Sequence, residues 1–102
     1  MKFPHLDTGR YLTISFTYVG ITGEDERPDR ELCECLIRES SPNRAIVAVG
    51  QAVQHPKDRP NRIVGRKVAL AHALQDAWPG SGGRDQRRQA WHAFFRASTR
   101  HK

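Results

Sequence analysis

The clearest period along the chain is two. In GRYLTISFTYVG, Leu12, Ile14, Phe16 and Tyr18 alternate with Thr13, Ser15 and Thr17, which predicts a half-buried strand. ITGEDERPDR follows with Gly23, Pro28 and dense mixed charge, and reads as an exposed loop. In ELCECLIRE, Leu32, Cys35 and Leu36 would stripe a short helix, whereas Cys33, Cys35 and Ile37 alternate as in a strand. The strand is preferred because SSPN supplies turn chemistry and RAIVAVGQAVQ beyond it is rich in β-branched residues, so the two segments make a hairpin.

After HPKDRPN the period changes to 3.6. Asn61 is placed to cap a helix running to about Trp78, where PGSGG stops it. At about 100° per residue, Ile63, Val64, Val68, Leu70, Ala71, Leu74 and Trp78 gather on one broad side. Ala69 and Ala73 fall on the flank, small enough to admit another helix. A second helix, capped by Ser81 or Asp85, runs through about Ser98 with Ala90, Trp91, Phe94 and Phe95 as its stripe. The expected fold is α+β: a three-stranded antiparallel sheet in the order β-β-β-α-α, covered on one face by an antiparallel helix pair. Residues 1–102 form one domain, since the length leaves no room for a second core.

Composition adds polarity to this frame. A mean hydropathy of -0.70 and the lack of a long apolar run argue against a membrane span, and MKFPHLDTGR lacks the apolar core of a secretory signal. The expectation is a cytoplasmic protein. The net charge of +6 is unevenly spread: residues 1–43 carry five Lys or Arg against eight Asp or Glu, and residues 44–102 carry twelve against three. The first portion is therefore net -3 and the second +9. Such polarity suits nucleic acid, a phosphate-bearing ligand or an acidic protein surface.

Helix reversal at PGSGG returns the end of the second helix to the start of the first. Arg59, Arg62, Arg66, Lys67, Arg96 and Arg100 then form one cationic pole for nucleic acid, helped by the free N–H groups of a helix start. Gly65 beside them would let a phosphate approach closely, or would relieve crowding against the sheet. Arg84, Arg87 and Arg88 form a secondary basic cluster at the other end. The strand Ala45 to Val49 is apolar on both sides, which suggests a homodimer or another partner contact.

Other chemistry is sparse. Cys33 and Cys35 are too close in the chain for a mutual disulfide and read as buried packing. The histidines at 5, 55, 72, 92 and 101 make no zinc signature. His72 and Asp76, one turn apart, suit an ion pair better than a metal site. GSGGRD lacks the lysine and hydroxyl of a phosphate-binding P-loop, and no nucleophile or acid–base pair has recognisable spacing. The reading is a non-enzyme with no cofactor and no metal.

AIVAVGQAVQHPKDRPNRIVGRKVALAHALQDA followed by RRQAWHAFF resembles small uncharacterised proteins of bacteriophages and prophages. Those have a strand with a V-x-G-x-A ending, a polar loop, a G-R-K-[IV]-A-L-x-x-A-L helix and a W-x-x-[FY] helix. The likeness covers about residues 45 to 97. It implies a phage-accessory setting in the host cytoplasm, such as control of host nucleic-acid machinery or anti-CRISPR counter-defence. The start Arg66, Lys67 and Ala69 also resembles the lysine-led helix of the double-stranded RNA-binding domain, although Leu70 stands where that domain has a lysine. A second function follows from this setting: an inhibitor docking on a host nucleic-acid-binding complex, with Glu24, Asp25, Glu26 and Asp29 of GEDERPDRE mimicking phosphate charge.

Overall fold

A computed structural model describes residues 1–22, 28–40, 44–54 and 62–99. Among the described residues, four strands form one antiparallel sheet: β1 (Lys2–Pro4), β2 (Tyr11–Thr22), β3 (Pro28–Glu39) and β4 (Ile46–Gln54), ordered as in the chain. Two helices follow, α1 (Arg62–Ala77) and α2 (Arg84–Thr99), joined by a single 3-10 turn at Ser81–Gly83. The class matches the α+β expectation, but the sheet has four strands rather than three. The additional strand pairs Lys2 with Thr13 and Phe3 with Leu12, and it buries Phe3 in the core. Strands β2 and β3 also run into the predicted loop, since Ile21 and Thr22 belong to one and Pro28 to the other. Residues 23–27 of that loop, with Glu24, Asp25 and Glu26, lie outside the described residues, as does the expected Asn61 cap.

Side-chain size is smallest on β4 across the covered face of the sheet. The register aligns Ile14, Ile37 and Ala48; Phe16, Cys35 and Gly50; and Tyr18, Cys33 and Ala52. Large residues thus occupy β2 and small ones β4. α1 packs over β4 and β3, whereas α2 packs against β1. The close approach of α1 requires Gly50: a Cβ there would lie 2.0 Å from the Ala69 carbonyl oxygen and 2.4 Å from the Ala73 nitrogen. The buried stripe of α1 is accordingly Ala69, Leu70, Ala73 and Leu74, while Ile63, Val64 and Val68 are exposed. This corrects the expected stripe, because contact distance and not apolar bulk selects the packing face. The alanines admit the sheet, not another helix.

Glycine also permits the turn between the helices, with Gly80 at a φ of 72°. No side chain caps the 3-10 turn, so Ser81 lies inside it instead of acting as a cap. Asp85 sits in the first turn of α2, where a negative charge suits the helix dipole. On the uncovered face, Val19, Val49 and Val53 are exposed, and Glu34 accepts a 3.0 Å hydrogen bond from Gln51.

Candidate nucleic-acid interface

The first turns of α1 begin at Arg62, of which only the backbone is described; Arg59 and Arg100 lie outside the described residues, and only the backbone of Asp29 is described. Arg66 turns toward the sheet. Its guanidinium lies 5.6 Å from the ring centres of both Phe16 and Tyr18, and its Nε donates to the Tyr18 hydroxyl. Stacking on two rings holds the planar guanidinium in one orientation. Gly65 faces inward too, since a Cβ there would sit 3.6 Å from that of Cys33. It lies over the sheet and does not open a path for phosphate.

Among the described side chains, Lys67 is the outward cation of this turn. Its Nζ lies 5.6 Å from the centre of the Phe95 ring on α2, so chain reversal does bring the second half of α2 to the start of α1. Phe95 is 48% exposed, which corrects its expected place in the buried stripe with Ala90 and Phe94. It stacks on Trp91 at 5.8 Å and 25°, and Phe94 meets both rings edge-on. Phe94 continues inward to Phe16 with centroids 6.0 Å apart. A cation thus sits over a half-exposed ring backed by a chain of aromatics that reaches the core.

Arg96 stands about 100° round the helix from Phe95 and lines a groove between α2 and β1 with Lys2, Gln89 and His92. It is therefore placed on the other flank of α2 from Lys67 and Phe95. The basic cluster of Arg84, Arg87 and Arg88 also divides. Arg87 closes the end of α1, donating to the carbonyl of Trp78 and, at 2.7 Å, to that of Gly80. Arg84 and Arg88 are exposed and fall in line with His92 and Arg96 at intervals of four residues. That interval was visible in the sequence. The exposed ring and the Lys2 side of the groove were not, because both depend on how α2 meets other elements.

Cys33 and Cys35 are buried thiols outside any disulfide, as expected, and burial pushes the Cys35 thiol up to about 12, with Cys33 adding to the rise. The Nδ1 of His72 donates to the Gln51 carbonyl of edge strand β4 at 2.7 Å. Among the described residues no group of three or more His, Cys, Asp or Glu side chains is placed to hold a metal ion, and no helix is long and apolar enough to cross a membrane. Comparison of the chain with protein-family models, curated proteins and solved structures finds no match to any of them.

Proposed function

We propose that the protein is a non-enzymatic module that binds nucleic acid through the platform formed by Lys67, Phe95 and Trp91, with Arg66 buttressing it from the sheet. The observation that carries this reading is the Lys67 ammonium over the half-exposed Phe95 ring, itself stacked on Trp91. The half-exposed ring offers apolar surface to a base, and the adjacent cation meets the phosphate. The +9 balance of residues 44–102 adds long-range attraction. Binding of this kind is directed at the backbone and at base faces, so it has little sequence preference and strong salt dependence. Accessory control of host nucleic-acid processing by a phage-type protein is the setting it suits.

Fluorescence anisotropy with labelled DNA and RNA oligonucleotides at 50 and 200 mM salt tests the reading. Lys67→Ala should flatten the salt slope by about 0.7 to 0.9. Phe95→Ala should weaken binding by about 5- to 150-fold, corresponding to about 1–3 kcal/mol for one stacked base. Absence of binding by the wild type at low salt would overturn it. The sheet's uncovered face favours a second reading, docking on a host protein complex as an anti-CRISPR-like inhibitor, through Val19, Val49 and Val53. Under that reading Val49→Lys abolishes capture of the host complex while the Phe95→Ala variant retains it.

A further inference from the structure

α2 carries chemistry on both flanks. Toward α1 it presents Trp91 and Phe95; toward β1 it borders a groove of about 680 Å³. Lys2, His92, Arg96 and Gln89 supply the polar lining, Phe3 and Ala93 belong to the apolar part, and among the described residues no carboxylate lines the groove. The volume is that of a small-ligand site. Two cations, an imidazole and an amide suit a phosphate, and the apolar part suits the face of a sugar or base.

The two flanks set a geometric condition on any ligand that uses both. A helix with its side chains is about 10–12 Å across, so such a ligand must turn over α2 within that distance. A duplex, stiff over about 150 base pairs, does not make that turn, whereas a single strand has rotatable bonds at every nucleotide. The crest that the strand would cross is itself basic. Arg88 and His92 are exposed there, one step of about 6 Å apart along the axis.

We infer that the groove between β1 and α2 is a phosphate-and-base subsite for single-stranded nucleic acid, and that the protein prefers single strands because only they reach the Phe95 platform and the groove together. This inference rests on the nucleic-acid reading above. It adds Lys2, His92 and Gln89 to the contact surface and gives Arg96 a place distinct from that of Lys67.

The test is anisotropy at 50 mM salt with a labelled 12-nucleotide oligothymidylate and a labelled 12-base-pair duplex. Wild type is compared with Lys2→Gln/Arg96→Gln, with Phe95→Ala and with Arg38→Gln/Arg44→Gln, which removes equal charge from exposed positions away from α2. The expected result is single-strand binding at least about tenfold tighter than duplex binding, a gap of about 1.4 kcal/mol. The groove variant should lose about tenfold on the single strand, and the charge control less than about twofold. Circular dichroism of each variant confirms that the fold is retained. Equal or tighter duplex binding, or a groove variant that tracks the charge control, overturns the subsite. If Phe95→Ala loses affinity and the groove variant does not, the nucleic-acid reading stands and the subsite falls. If wild type binds neither probe, both fall.

Discussion

Cys35 has no exposed surface, and its ring of neighbours makes a thiolate there costly. With a folded value of about 12 against 9.0 for the free thiol, the unfolded chain releases its proton before the folded one does. Between these values the native state binds more protons, so the stability contributed by the neutral thiol is complete below pH 9 and is lost as pH rises toward 12. The loss is at most about 1.4 kcal/mol per pH unit. Urea unfolding at pH 8 and pH 10.5 under reducing conditions should show wild type losing about 1–2 kcal/mol more than Cys35→Ala over that interval. Parallel losses in the two proteins would mean that the thiol is not sealed from water. The burial of both cysteines was legible from the strand face they share with Ile37. The exposure of Phe95 was not, because helical periodicity assigns a side and does not say where the neighbouring element ends.

Among the elements, α1 shows most clearly what a sequence withholds. Its valines and isoleucine suggest the packing face by hydrophobicity, yet Ala69 and Ala73 make the contact because Ala48, Gly50 and Ala52 leave the sheet lowest under them. The small residues of β4 were in plain view; their meaning required knowing which helix lies above them. β1 was hidden for a simpler reason, as three residues including a proline cannot establish a period. β2 and both helices were legible because each spans several repeats of its own period, whereas β4 was legible from its β-branched residues and β3 only through the turn that joins the two. Two glycines on the same interface should respond with opposite signs. Gly50→Ala forces its Cβ into the backbone of α1 and should lower stability by about 3 kcal/mol or more. Gly65→Ala meets Cys33 at an ordinary 3.6 Å and should raise stability by up to about 1 kcal/mol, the usual gain from removing a glycine from a helix interior. Urea midpoints of the two variants check both signs, and unchanged oligonucleotide affinity in Gly65→Ala would confirm that no phosphate relies on that glycine.

At the scale of the molecule, one amide ties the β1 segment to α2 by two hydrogen bonds. Gln86 is the only buried polar side chain among the described residues. Its Nε2 donates to the Pro4 carbonyl at 2.8 Å, and its Oε1 accepts from the Leu6 N–H at 2.7 Å. Phe3, edge-on to Trp78 at 6.2 Å, anchors the same strand from the apolar side. Together these contacts fix the wall of the groove that Lys2 shares with Arg96, so the groove depends on a residue that does not line it. Gln86→Ala removes both hydrogen bonds and leaves the Pro4 and Leu6 groups to find other partners, at a cost of about 1–3 kcal/mol. Gln86→Glu keeps the acceptor for Leu6 but sets a carboxylate against the Pro4 carbonyl, and should be at least as damaging at neutral pH. Amide hydrogen exchange at Leu6 should accelerate in both variants while the amides of α1 keep their protection. The platform of Lys67, Phe95 and Trp91 lies on the other flank of α2 and should survive this loosening, so single-strand affinity should fall toward that of the Lys2→Gln/Arg96→Gln variant and no further. A fall in α1 protection together with Leu6 would instead show that β1 and the helices unfold as one unit, and that the groove cannot be loosened separately from the core.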